Sequence, residues 1–137
     1  MDKDILFEKS AIKYCLNCLM EKEDFIVAKL EYLNEGRYAV AYDLTDKAIA
    51  ILFKKDWFYK FSQMFKNETS IGDSVNREDL KHFAKRGVKT LYVVYKTGEI
   101  YMMEISAILE KGHLWTNKEG KELYSYSIHN YKRVNTK

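Results

Sequence analysis

Asp43 and Lys54 are the two side chains around which chemistry could be organised. The run Tyr38 to Asp43 reads as a strand ending in a carboxylate, and Ala48 to Lys54 as a strand ending in a lysine. A divalent cation held by hard oxygen ligands polarises a phosphate and lowers the pKa of its bound water. A neighbouring lysine orients that water or neutralises charge developing on the phosphate. An acid and a lysine on adjacent strands are thus two of the three groups that metal-assisted phosphodiester cleavage needs. The third, an acid two residues before the lysine, is absent, because that position is Leu52. Alternation puts Ala50, Leu52 and Lys54 on one strand face and Ile49, Ile51 and Phe53 on the other. Leu52 is therefore expected to point toward any Asp43–Lys54 site. Asp46, in the turn between the strands, and Asp56, just past the lysine, are alternative acids. Taken singly, an Asp beside Thr45 is also a common turn former, and a Lys ending an apolar strand a common edge residue.

The elements that would position these groups follow from periodicity and punctuation. Ile5, Ile12, Leu16 and Leu19 fall at helical spacing over residues 4–22, with Asp4 as a cap. Phe25 to Tyr32 reads as a strand, and Asn34-Glu35-Gly36-Arg37 as a hairpin turn into Tyr38 to Leu44. A turn at Thr45-Asp46-Lys47 then leads into Ala48 to Lys54, completing a three-stranded antiparallel meander. The apolar stripe of Trp57, Phe61, Met64 and Phe65 predicts a short helix over 56–66, followed by a polar loop from Asn67 to Ser74. The next helix has Asn76 as N-cap, Asp79 three residues on and Gly87 as its stop. Val88 to Tyr95 and Ile100 to Ile105 read as strands, and Asn117 to Gly120 as the turn of a last hairpin. Val88 to Val94 can pair in parallel with an earlier strand, because the intervening helices supply the crossover. The order predicts an α/β fold, a central mixed β-sheet flanked by helices, with a C-terminal β-hairpin extension. We expect one domain over 1–137, with a core at 4–109 and the hairpin and tail at 110–137.

This order and its residues resemble the PD-(D/E)XK, or restriction-endonuclease-like, nuclease superfamily, and archaeal Holliday-junction resolvases in particular. The resemblance runs from about residue 5 to 109. It rests on Glu8 near the start of the first helix, Asp43 in Tyr42-Asp43-Leu44, and the Leu52-Phe53-Lys54 strand end. It continues through the Arg77–Arg86 helix, the Thr90–Tyr95 strand and the hairpin at Gly98-Glu99-Ile100-Tyr101. It implies an endonuclease on duplex or branched DNA, using Mg²⁺ or Mn²⁺, and often a homodimer. Asp43 would be the main metal ligand, Glu8 a supporting acid and ligand, and Lys54 the water-orienting group. Leu52 departs from the family pattern. It leaves open a second expectation, a nucleic-acid-binding module of the same fold without catalysis, and a third, a structural or interaction domain.

Charge distribution bears on the partner. The net charge is +3, but residues 1–53 hold 7 basic and 10 acidic side chains, whereas residues 54–137 hold 16 and 10. A basic second half suits a polyanion. Lys55, Lys60, Lys81, Lys85, Arg86, Lys132 and Arg133 are the candidate phosphate contacts, with a solvated surface as the alternative. Tyr124, Tyr126 and Tyr131 alternate with cations in the tail; packing on the core explains them better than base stacking. Cys15-x-x-Cys18 lies inside a helix, where buried free thiols are the simpler reading than zinc or redox chemistry. His82, His113 and His129 lack ligand spacing. No apolar run approaches the roughly 18 residues of a membrane span, and Asp2 and Asp4 do not suit a signal peptide. We expect a cytoplasmic protein without a membrane partner.

Overall fold

The computed structural model describes residues 8–21, 26–33, 38–54, 59–61, 70–95, 98–127 and 132–135. In chain order its elements begin with α1 (Glu8–Glu21), β1 (Lys29–Leu33), β2 (Tyr38–Tyr42), β3 (Ala48–Lys54), β4 (Tyr59–Phe61) and β5 (Ser70–Asn76). There follow α2 (Arg77–Lys85), β6 (Thr90–Tyr95), β7 (Ile100–Glu104), α3 (Ile105–Lys111), β8 (His113–Thr116), β9 (Glu122–Ser127) and β10 (Lys132–Arg133).

A strand with apolar side chains at every position must be covered on both faces. The first six residues of β3 are all buried, and β3 lies inside a six-stranded sheet of order β1-β2-β3-β6-β7-β10. Ala50 and Leu52 pack with Val40, Leu80 and Phe83 in the layer that includes α2. Ile49, Ile51 and Phe53 pack with Ile12, Leu16 and Leu19 in the layer that includes α1. The alternation read from the sequence therefore sets the two layers. The β1-β2-β3 meander is antiparallel, and β3 pairs in parallel with β6, Ile49 opposite Thr90 and Lys54 opposite Tyr95. This is the expected α/β architecture with a mixed central sheet flanked by helices.

The caps of α2 are both as the sequence predicts. The Asn76 side chain accepts from the Glu78 amide, and Gly87 takes φ +74° just past the helix end. The Val88 amide reaches the Phe83 carbonyl and the Gly87 amide reaches the Ala84 carbonyl, the two bonds of a Schellman stop.

Two segments differ from expectation. Within the span read as a helix over 56–66, Tyr59–Phe61 is a strand, and the rest of that span lies outside the described residues. The segment read as a polar loop from Asn67 to Ser74 overlaps β5, which pairs with β4 on one side and β9 on the other. A second, four-stranded sheet β4-β5-β9-β8 results. The reason is nonlocal. β9 supplies a ladder for a polar backbone that its own side chains do not call for, and Val75 anchors it in the core. A third helix, α3, buries Ile105 and Ile108 at i, i+3 spacing. The C-terminal hairpin forms as expected, β8 and β9 joined at Asn117–Gly120. Tyr126 is buried and Tyr124 packs against the core, as the packing reading requires, while Tyr131 lies outside the described residues. Val75 and Tyr126 share a cluster with Leu52 and Phe83, so one core joins the two sheets.

Candidate functional site

The strand register decides the fate of the acid–lysine pair. Tyr42, the residue before Asp43, stands opposite Ala48, the first residue of β3. Lys54 is six residues further along β3, about 20 Å away at the rise of an extended strand. Asp43 and Lys54 thus sit at opposite ends of the β2–β3 pair and form no common site. Asp43 is instead a turn residue. Its Oδ1 accepts from the Thr45 amide at 2.8 Å, the Thr45 hydroxyl at 2.7 Å and the Lys47 amide at 2.9 Å. The Thr45 hydroxyl bond, with the backbone amides behind it, holds the Asp43 carboxyl below the ordinary carboxylate range. The turn also places Asp46 at φ +63°, and Asp46 is as remote from Lys54 as Asp43 is.

Lys54 is half-buried and donates to the Ser74 carbonyl at 2.6 Å, tying β3 to β5. Leu52 is only 3% exposed and lies in the core, not toward an open site. Glu8 opens α1, but its side chain lies outside the described residues, as do Lys55, Asp56 and the Lys60 side chain. Among the described residues, no three His, Cys, Asp or Glu side chains converge as a cation would require. Of the donors named for Mg²⁺ or Mn²⁺, Asp43 uses its Oδ1 in the turn and the Glu8 side chain lies outside the described residues, while Leu52 offers no oxygen.

The remaining candidate cations divide between two regions. Lys81, beside Glu78 at 3.4 Å, and Lys85 lie exposed on α2. Arg86 follows the helix and clasps Glu31 of β1 through Nε at 3.2 Å and Nη2 at 3.1 Å. That bidentate donation lowers the Glu31 pKa and raises that of Arg86, and Tyr42 adds a hydroxyl to the same carboxylate. Lys132 is exposed on the edge strand β10, whereas Arg133 pairs with Glu99 at 3.1 Å and lies over the Tyr101 ring. The contact of Phe83 with Tyr38 sets α2 over β2. β10 is four strands away, about 19 Å. The two groups of cations are therefore separated by most of the width of the sheet.

One concave feature went unread in the sequence. A cleft of about 600 Å³ runs along α2 between the β1/β2 strand ends and the β8–β9 turn. Leu33 and Tyr38 form one wall, Arg77, Asp79, His82 and Arg86 the helix wall, and Lys121 and Glu122 the hairpin wall. Arg77 and Glu122, 2.8 Å apart, join helix and hairpin. Tyr38 is almost wholly buried and stands edge-on to Phe83 at 5.0 Å. Burial and its hydrogen bond to the Asp79 carboxylate push its hydroxyl up to about 12. Asn76, Asp79 and the Asn117–Gly120 turn were each legible as local punctuation. That they enclose one cleft is a consequence of strand pairing across the second sheet.

Cys15 is buried and Cys18 half-buried on α1, both as free thiols. Burial pushes the Cys15 thiol far up, the opposite of a reactive cysteine. No helix among the described residues is long and apolar enough to cross a membrane. No protein-family model, curated protein or solved structure matches this chain.

Proposed function

We propose that this chain is a nucleic-acid-binding module on a restriction-endonuclease-like scaffold, and that it does not cleave phosphodiesters. The observation that carries this reading is the disposition of α2. Its inner face, Leu80 and Phe83, is in the core, while Lys81, His82 and Lys85 are exposed beside a concave cleft. Exposed lysines one turn apart suit phosphates, which contribute most of the sequence-independent affinity for nucleic acid. The β2–β3 register supports the non-hydrolytic half, since it parts the only acid–lysine pair that the family resemblance offers. The α1, β1-β2-β3, α2, β6 order with a parallel β3–β6 pair supports the scaffold. A cytoplasmic setting and a two-fold homodimer belong to the same proposal. For the dimer, Ile26 and Leu44, 65% and 87% exposed at one end of the β1–β2 pair, are the apolar surface to examine.

The test is incubation of labelled linear and branched DNA with Mg²⁺ or Mn²⁺, followed in parallel by binding at several salt concentrations. We expect retention that weakens steeply with salt and no product. Replacing Lys81 and Lys85 together by Ala should lower the log–log salt slope by about two. Metal-dependent cleavage abolished by Asp43→Ala would restore the enzyme reading. Failure to retain any nucleic acid at low salt removes the module reading and leaves a structural domain.

A further inference from the structure

An edge strand presents a row of open backbone groups, and proteins blunt it with charged side chains or proline. Among the described residues the two sheets end in β1, β10, β4 and β8. Lys29 lies in β1, Lys60 in β4 and Lys132 in β10. Only β8, His113-Leu114-Trp115-Thr116, has neither a Lys, Arg, Asp or Glu nor a proline. His113, Leu114 and Thr116 are exposed, Leu114 by 42%. The Asn117 amide donates to the Lys121 carbonyl at 2.9 Å, so these two form a hydrogen-bonded pair of the β8–β9 ladder. Opposed residues of an antiparallel ladder alternate between bonded and non-bonded pairs. Trp115–Leu123 and His113–Ser125 are therefore bonded pairs too, and the amides and carbonyls of Leu114 and Thr116 point away from β9, along the free edge. Such an edge is complementary to itself. With a two-fold axis at Trp115, Leu114 meets the partner's Thr116 and each pair exchanges both bonds. Trp115 then faces the partner's Trp115 across a non-bonded pair, where side chains come closest. Lys111, ending α3, and Glu119, in the turn after β8, each stand four residues from Trp115. The same register therefore brings Lys111 beside the partner's Glu119, and the other exposed charges there, Glu110 and Lys118, keep the cluster neutral. Centring the axis on Leu114 or Thr116 loses a bonded pair, because the Gly112 amide is spent on the Ile108 carbonyl and Lys118 lies in the turn.

We propose that two copies of this chain join antiparallel along β8, on a two-fold axis at Trp115, so that their four-stranded sheets become one continuous sheet. The inference rests on the homodimer part of the reading above and places the interface at β8 instead of at Ile26 and Leu44. Sedimentation equilibrium of the full chain tests it. Wild type should be dimeric at high concentration and dissociate on dilution. Lys111→Glu and Glu119→Lys, both at exposed positions, should each weaken the dimer about tenfold, because each turns two attractions into repulsions. An equimolar mixture of the two variants should restore it, since both contacts between unlike copies are again of opposite charge. Thr116→Pro removes an outward amide that the β8–β9 ladder does not use and should leave a folded monomer. A dimer that neither reversal weakens, a mixture that fails to recover, or a dimer that Leu44→Lys disperses while the reversals do not, overturns the β8 interface and leaves the homodimer reading standing. A chain that is monomeric at every concentration overturns both.

Discussion

At the scale of single residues, Asp43 and Leu52 are structural. Asp43→Ala removes three hydrogen bonds from the β2–β3 turn, and we expect a lower Tm at neutral pH. Because its folded pKa lies below the unfolded value near 3.8, the ionised form contributes stability above that value. The contribution fades as the pH falls through the folded pKa. The Tm gap between Asp43→Ala and wild type, read by thermal melts from neutral pH downward, should hold until about pH 4 and then narrow. Leu52 bears on activity more directly. Leu52→Ala should cost about 2–5 kcal/mol through the cavity it leaves. Leu52→Glu, which completes the acid-x-Lys pattern, should cost more, because it strips water from a carboxyl. Denaturant titration measures both. Neither substitution should yield cleavage, since Asp43 stays about 20 Å from Lys54.

At the scale of elements, α2 is the part on which the proposed site depends, and its two ends are held by different physics. Asn76→Ala loses the side-chain acceptor for the Glu78 amide and should destabilise by about 1 kcal/mol. At Gly87 an added Cβ meets nothing within 4 Å, so Gly87→Ala costs only the left-handed backbone, about 1–2 kcal/mol. Gly112 is the contrasting case. Its backbone is extended, but a Cβ there would collide with the Ile108 carbonyl where α3 meets β9. Equilibrium unfolding of the three alanine variants should rank Gly112→Ala as the most damaging, because a clash with the Ile108 carbonyl of the same helix is relieved only by shifting the backbone where α3 ends.

At the scale of the whole molecule, the two sheets meet through one core, and Arg77–Glu122 links helix to hairpin across the cleft. Arg77→Ala should therefore widen the separation between hairpin and helix more than it lowers global stability. Half-exposed ion pairs contribute little on their own, and hydrogen exchange of the β8–β9 amides is the measurement that separates the two effects. Binding through lysine–phosphate contacts needs no bridging cation. Chelation by EDTA should leave both Tm and DNA retention unchanged, and a large drop in either would restore a metal to the site.

How far the sequence reached depends on whether an element is set locally. Periodicity and caps in the chain determine α1, the β1-β2-β3 meander, α2 with Asn76 and Gly87 at its ends, and the terminal hairpin, because each is decided within a few turns of chain. The separation of Asp43 from Lys54 was also legible. Consecutive antiparallel strands end at opposite edges, so two residues that each close one of them cannot meet. The tertiary structure alone decided that Ser70–Asn76 is a strand and that Tyr38, Asp79, His82 and Glu122 share a cleft. Those outcomes depend on β5 pairing with β9, about fifty residues later in the chain, and a ladder between such distant segments leaves no local pattern in either.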